Sequence, residues 1–209
     1  MNEHITSNNL HEPYQSAYKR AHSTETALIK VSNDIIQALD KGSAVVLVML
    51  DLSAAFDTID HSTLLKRMEH EFGINGAALE WFNSYLSARF QSVSINDQYS
   101  SPAELKYGVP QGSVLGPKLF TMYTKPLGQI SKAHKLDYHF YADDSQNYIA
   151  FRPSDNAAAL EVVTRVEACV CAMRQWMESN MLKVNDDKTE VVLFTPSRKS
   201  MSLSDIANR

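Results

Sequence analysis

The chain lacks any apolar run of the roughly 18 or more residues that a membrane-spanning helix requires. Its opening residues 1–11 are polar and carry no secretory pattern, so no membrane association and an intracellular location, cytosolic or nuclear, are expected. Cysteine is scarce: Cys169 and Cys171 lie two apart on an expected helix, point in different directions and have no second pair to complete a zinc site. Both are expected as reduced thiols. Basic charge is also short, with 20 Lys and Arg against 24 Asp and Glu and a net charge of −4. That balance is awkward for a chain that binds nucleic acid, because phosphate neutralisation by Lys and Arg normally supplies most of the affinity. It excludes no such chain, since carboxylates at a catalytic centre are offset by bound metal rather than by side chains. There is no internal repeat or low-complexity stretch, and 44 % hydrophobic with 21 % charged residues suits one globular domain with a sizeable core.

What is present begins with two carboxylate stations. Val45-Val46-Leu47-Val48-Met49-Leu50 is too short for a typical helix, partly β-branched and apolar throughout, which predicts a strand buried on both faces with Asp51 emerging at its end. Downstream, two aromatic-rich runs flank Ala142-Asp143-Asp144-Ser145 and predict a hairpin whose turn carries Asp143 and Asp144. Adjacent strands lie about 4.8 Å apart, so Asp51 and Asp143 can share divalent cations if these strands are neighbours. Two metals about 3.5 to 4 Å apart serve in-line phosphoryl displacement, and nucleotidyl transfer is the reaction class suggested. Taken alone, an Asp-Asp pair in a turn is more often a solvated turn element. The segment between the stations, residues 108–117, argues against that reading: it holds three of the chain's seven glycines and two of its seven prolines. Such glycines allow close backbone approach, and Pro117 suits the first turn of a following helix.

The remaining elements follow from periodicity. Ser23 or Thr24 caps a helix with Ala27, Leu28, Val31, Ile35, Ala38 and Leu39 at helical spacing, ending near Lys41-Gly42. After Asp51, helices through Leu64, Leu65 and Met68 and through Leu79, Trp81, Phe82 and Leu86 are expected to pack on the sheet. Residues 89–96 alternate as a strand with Phe90, Val93 and Ile95 as its apolar members, and a partner is expected near residues 103–107. The glycine-rich segment opens a helix toward Leu127. Ser154 or Asp155 caps a long helix carrying Leu160, Val163, Val166, Val170, Met173 and Met177, with Trp176 read as core. Two short strands, residues 182–184 and 191–194, bracket Asn185-Asp186-Asp187-Lys188. The sum is one α+β domain with helices on one face of an antiparallel sheet, between a polar leader (1–13) and a polar tail (196–209).

Asp51-Leu52-Ser53-Ala54-Ala55-Phe56-Asp57, then Gly108-Val109-Pro110-Gln111-Gly112, then Tyr141-Ala142-Asp143-Asp144, then Leu182-Lys183-Val184-Asn185-Asp186-Asp187-Lys188-Thr189-Glu190 occur in the order and spacing of a reverse transcriptase palm. From about Tyr14 to Phe194 the chain resembles a non-LTR retrotransposon (LINE-type) reverse transcriptase, and Gln15-Ser16-Ala17-Tyr18-Lys19-Arg20 with Ser23-Thr24 resembles that group's segment before the first catalytic strand. The resemblance implies a polymerase palm with partial fingers over residues 14–195 and RNA-directed DNA polymerase activity. It also implies two Mg²⁺ ions, with Mn²⁺ as a substitute, and an RNA template, a DNA primer and deoxynucleoside triphosphates as partners.

Residue roles come with it. Asp51 and Asp143 would ligate metal directly, Leu52 through its backbone carbonyl, and Asp144 would be an accessory carboxylate. Metal activation of the primer 3′-hydroxyl and metal stabilisation of the leaving pyrophosphate would leave no strict need for a protein general base. Phe56 would lie under the incoming sugar and block a 2′-hydroxyl, which separates this group from RNA-dependent RNA polymerases; by itself it reads as core packing. The amides of Ala54 and Ala55 would face the triphosphate, Gln111 would contact the sugar or template, and Gly112 would let the backbone come near. Lys188 would be a charge partner or proton donor at the leaving pyrophosphate, where a lone lysine before a strand is usually solvated. Tyr141 would buttress the metal turn, and Ala142 would leave room for the primer end. Asp57 and Asp60 are assigned to helix capping and local hydrogen bonds, and His61, His70 and His139 are read as structural.

A complete member of that group also has a triphosphate-clamping fingers segment, a primer-grip hairpin with a thumb, and an endonuclease. None is recognisable here, Lys19-Arg20 being the one basic pair before Asp51. The alternative expectation is therefore a truncated, non-catalytic palm relic that binds nucleic acid or a protein at most. The oligomeric state is not legible.

Overall fold

The run Ala44–Leu50 forms strand β1 in the middle of the sheet of a computed structural model that describes residues 1–196. Strands β7 (Asp137–Tyr141), β8 (Asp144–Phe151) and β10 (Glu190–Phe194) complete an antiparallel sheet of order β10-β1-β8-β7. Side chains alternate across a strand, so Val46, Val48 and Leu50 enter the main core while Val45 and Leu47 enter a second, smaller one. Two cores explain why the whole run is apolar.

Helices α3 (His61–Phe72), α4 (Gly76–Leu86), α5 (Gly116–Thr124), α6 (Pro126–Ala133) and α7 (Asn156–Ser179) supply the main core with residues such as Leu64, Met68, Phe120, Tyr123 and Met173. This is the expected helical layer. On the opposite face α2 (Thr24–Asp40) adds a partial one, setting Val31 and Ile35 against Val45, Leu47 and Tyr148. Side chains start these helices as anticipated. Ser23 and Thr26 form a reciprocal capping box on α2, Asp60 Oδ1 accepts from the Thr63 amide at 2.7 Å, and Asp155 Oδ1 accepts from the Ala158 amide at 3.0 Å. Where one helix toward Leu127 is expected there are two, because Pro126 has no N–H to carry the ladder onward.

Four apolar assignments come out differently, the first being Leu28 on α2, which is exposed. On α7 the buried stripe runs Ala159, Val162, Val166, Cys169, Met173 and Met177, which leaves Leu160 exposed. Trp81 is exposed and stacks on Tyr85 at 5.5 Å. The expected strand over residues 89–96 is broken: β3 (Phe90–Gln91) pairs with β6 (Ala103–Glu104), and β4 (Ser94–Ile95) pairs with β5 (Gln98–Tyr99). Val93 and Ile95 share one strand parity and Phe90 the other, and all three are exposed because, among the described residues, no layer covers this arm. Cys169 is buried and Cys171 exposed, both as free thiols.

The segment set apart as a leader packs on the body. Helix α1 (Asn2–Ser7) buries Ile5 in the main core, His4 Nε2 lies 2.7 Å from the Phe72 carbonyl oxygen, and the Tyr138 hydroxyl donates to Glu12 Oε1 at 2.7 Å. The expected tail lies, apart from Pro196, outside the described residues. Among the described residues no helix is long and apolar enough to cross a membrane.

The histidines are structural, as read from the sequence: His61 Nε2 meets the Gly108 carbonyl at 2.7 Å, His70 Nδ1 the Lys66 carbonyl at 2.7 Å, and His139 Nε2 the Ser16 hydroxyl at 2.8 Å. Burial holds the His139 pKa below its ordinary 6.5, the Lys30 and Lys19 ammonium groups add to this, and Asp34 opposes it. A depressed folded pKa means that the unfolded chain binds the proton more readily. The associated stability is complete above pH 6.5 and lost as pH falls through the lower, folded value. Thermal melts should show that His139→Gln undergoes a smaller drop in Tm than wild type between neutral and mildly acidic pH. Equal drops in the two proteins would refute this.

Candidate active site

The site is built where β1 ends. The β1–β8 register pairs Leu50 with Ser145, so the next position outward sets Asp51 level with Asp144. In the β7–β8 hairpin Tyr141 pairs with Asp144, which leaves Ala142 and Asp143 as the two-residue turn. The strand carrying Asp51 and the hairpin are therefore neighbours, as anticipated. The residue level with Asp51 is Asp144, with Asp143 one step out at the tip.

The chain leaves Asp51 into β2 (Leu52–Ser53), which pairs with β9 (Lys183–Val184). The Asn185 amide donates to the Asp51 carbonyl at 2.9 Å, which makes Leu52 and Val184 a non-hydrogen-bonded pair. The Leu52 carbonyl is thus not taken up by its β9 partner, while its side chain is buried. A 3₁₀ turn, Asp186–Lys188, then brings Lys188 back to the site with Nζ 3.2 Å from Asp51 Oδ2. That contact has ion-pair length without hydrogen-bond geometry: Oδ2 is buried and has no hydrogen-bond partner. Asp51, Asp144, Gln146, Asp187, Lys188 and Glu190 line one open cleft of about 460 Å³. Burial pushes the Asp144 carboxyl above its ordinary pKa, Asp143 and Asp51 push it further, and Lys188 opposes them. Asp143 also faces the other flank, where burial, then Asp143, then Tyr141 raise the pKa of Tyr18.

The turn after β2 and the glycine-rich segment are bound to each other. The Gly108 amide donates to the Ile59 carbonyl at 2.8 Å, the Val109 amide to the Phe56 carbonyl at 2.9 Å, and Gln111 Nε2 to Asp57 Oδ1 at 2.8 Å. Asp60 caps a helix as expected, and Asp57 instead orients Gln111. A Cβ on Gly108 would sit 2.8 Å from the Asp57 carbonyl oxygen, and one on Gly116 would sit 2.7 Å from that of Pro110. At Gly112 a Cβ would meet nothing within 4 Å among the described residues, and the backbone has a φ of +77°. Phe56 is half-buried with its ring stacked on Phe120 at 4.8 Å, and so combines core packing with a partly exposed face. Ala55 is buried, and Ala54 is exposed with a φ of 52°.

One residue at the site was not singled out from the sequence. Gln15 is buried, and its side-chain amide bonds both the N–H and the C=O of Ala142, each at 3.0 Å. The resemblance names Gln15 only as part of the segment before the first catalytic strand and gives it no role; its partner lies more than 100 residues away, so no local pattern marks the contact.

Among the described residues no three His, Cys, Asp or Glu side chains already stand as a ready ligand set. The donor chemistry still fits a divalent cation. Asp51 Oδ2 is a buried carboxylate oxygen without a hydrogen-bond partner among the described residues, and the repulsion from Asp143 and Asp51 that adds to burial in raising Asp144 is what such a cation would relieve. Hard cations of the Mg²⁺ kind are held by one or two carboxylates together with water and substrate phosphates, so a closed protein cage is not required.

The backbone is shared with known polymerases. Telomerase from Candida albicans, solved in complex with a TWJ fragment of telomeric RNA, superposes with a TM-score of 0.68 at 16 % identity over 96 % of this chain and 34 % of that one. The corresponding Candida tropicalis complex gives 0.63 at 14 % identity, over 92 % of this chain and 32 % of that one. The fold is that of a polymerase palm. Residues 1–203 match the family described as reverse transcriptase (RNA-dependent DNA polymerase), and the chain belongs to that family. It is 30 % identical over 200 residues to the probable RNA-directed DNA polymerase from transposon BS of Drosophila melanogaster, covering 93 % of this chain and 21 % of that protein. It is 26 % identical over 186 residues to the RNA-directed DNA polymerase from mobile element jockey of the same species, covering 87 % and 20 %. The resemblance to non-LTR retrotransposon enzymes drawn from the motifs is borne out. The chain spans about a fifth of the length of these curated relatives.

Proposed function

We propose that this chain is the palm of an RNA-directed DNA polymerase that adds deoxynucleotides to a primer 3′-hydroxyl on an RNA template. The observation that carries the reading is the single cleft in which Asp51, Asp144 and Lys188 meet directly beside the turn bearing Asp143. Asp51, Asp143, Asp144 and the Leu52 carbonyl would hold two Mg²⁺ ions, for which Mn²⁺ can substitute. Bound cations would supply Lewis-acid activation of the hydroxyl and charge stabilisation of the triphosphate. The chain's own residues do the rest. Lys188, largely solvent-exposed and 3.2 Å from Asp51, has the reach to give a proton to the leaving pyrophosphate. The exposed amide of Ala54, beside that of Ala55, faces the triphosphate. Gln111, oriented by Asp57, contacts the sugar or the template, and Gly112 supplies the left-handed turn beside it. Tyr141 buttresses the turn, and the small Ala142 leaves room for the primer end.

Phe56, braced by Phe120, is the wall that meets a 2′-hydroxyl. Phe56→Ala should narrow the ratio of kcat/KM for dTTP over UTP by about 10- to 200-fold. An unchanged ratio would remove Phe56 from sugar selection. The reading as a whole is tested by incubating the purified chain with poly(rA)/oligo(dT), dTTP and Mg²⁺ or Mn²⁺. Primer extension that EDTA abolishes is expected, and a folded chain that extends nothing with either ion would contradict it.

A further inference from the structure

The loop before α2 reaches the active site. Residue Gln15 forms a parallel bridge with Phe140, flanked by two backbone bonds: the Phe140 amide donates to the Tyr14 carbonyl at 2.9 Å, and the Ser16 amide donates to the Phe140 carbonyl at 2.9 Å. This adds a short strand-like edge to β7. From that edge the Gln15 side chain extends to the turn. Its Oε1 accepts from the Ala142 amide at 3.0 Å and from the Ala17 amide at 2.9 Å, and its Nε2 donates to the Ala142 carbonyl at 3.0 Å. Every polar atom of the side chain is thus committed, and the residue is 4 % exposed.

The residue so gripped is the strained one. Ala142 has a φ of 55°, a left-handed conformation that a residue with a Cβ adopts only when its surroundings impose it. A two-residue turn closing two aromatic strands has few contacts of its own to impose anything. Gln15 addresses both backbone polar groups of this one residue, and Asp143 follows immediately. The same loop carries Tyr18, itself at a φ of 61°, whose pKa is raised by burial and then by the charge of Asp143.

We propose that Gln15 is a positioning residue: by clamping both backbone groups of Ala142 it fixes the direction in which the turn presents Asp143 to the cleft. This rests on the polymerase reading for its catalytic consequence, and on the hydrogen bonds alone for its mechanical one. A carboxylate that must be held within a fraction of an ångström of its working place needs such support from a neighbouring element. The clamp also makes the segment before the first catalytic strand part of the site without contacting a substrate.

Gln15→Met keeps the volume and the burial and deletes all three side-chain bonds. With circular dichroism unchanged, amide exchange at residues 142–144 should rise about tenfold, the effect of losing roughly one hydrogen bond's net stabilisation, while β8 beyond Ser145 stays protected. Mn²⁺ affinity, read by electron paramagnetic resonance, should fall about tenfold. The kcat for dTTP incorporation should fall about 100-fold with the Kd for primer–template unchanged. Gln15→Leu deletes the same three bonds with an apolar side chain of similar size, and it carries the test if Gln15→Met does not fold. Unchanged exchange at the turn, or faster exchange with Mn²⁺ affinity and kcat intact, would overturn the proposal. Exchange and Mn²⁺ affinity need no turnover, so a wild-type chain that incorporates nothing would overturn the polymerase reading while these two readouts still decide the clamp.

Discussion

Asp51→Asn is expected to lower deoxynucleotide incorporation by about a thousandfold, the factor that corresponds to losing roughly 4 kcal/mol of transition-state stabilisation, without lowering Tm. The two halves of that expectation have one cause. Asp51 is a half-buried carboxylate level with Asp144, whose carboxyl is pushed up by burial and by Asp143 and Asp51 together. Lys188 compensates only in part, from a distance of 3.2 Å and without hydrogen-bond geometry. Removing one negative charge relieves repulsion in the folded state, so the fold keeps or gains stability while the proposed ligand set is broken. A site that works against the stability of its own fold is a common feature of catalysis. Asp143→Asn should behave in the same way. Incorporation and melting curves on the same preparations check it: activity retained in Asp51→Asn would detach that residue from the chemistry, and a collapse of Tm would make its role structural.

Gly108→Ala is expected to be the most disruptive single methyl in the site. The new Cβ would lie 2.8 Å from the Asp57 carbonyl oxygen and 2.9 Å from its Cα, both backbone atoms that cannot step aside. The φ of +80° adds about 1–3 kcal/mol of strain for a residue other than glycine. Gly112 is the matched control. Its φ is +77°, yet a Cβ there meets nothing within 4 Å, so Gly112→Ala carries the strain without the clash. Differential scanning calorimetry should place Gly108→Ala well below Gly112→Ala, by roughly 2–4 °C for each additional 1 kcal/mol. Gly108→Ala should also pull Gln111 away from Asp57 and so impair nucleotide use. Equal melting temperatures would mean that the segment yields at Gly108, and that the close approach there is not what orders it.

These contrasts mark how far the sequence could be read. The strand ending at Asp51 was legible because an apolar run that short has few other places to go, and the hairpin because aromatic runs on both sides of a polar turn have a single economical pairing. The helix caps at Asp60 and Asp155 were legible for the same local reason. What local pattern could not supply is which neighbour a residue meets. The apolar residues Phe90, Val93 and Ile95 suggest a strand and say nothing of whether a layer covers it; among the described residues none does. Two glycines of one segment differ in purpose because backbone from Asp57, more than 50 residues away, crosses Gly108 and not Gly112. Gln15 is the clearest case: its chemistry is ordinary, and only the fold brings it to Ala142. The register also refined the carboxylate geometry, setting Asp144 level with Asp51 and Asp143 at the tip of the turn.

The central claim is that the cleft beside Asp51 is a divalent-cation site for nucleotidyl transfer. The most direct measurement is anomalous diffraction from crystals of the chain soaked with Mn²⁺ and a deoxynucleoside triphosphate. The account predicts Mn²⁺ in the cleft lined by Asp51 and Asp144, with the triphosphate beside it and the peak lost in Asp51→Asn. Mn²⁺ bound elsewhere, or a cleft that stays without it at saturating concentration, would contradict the account.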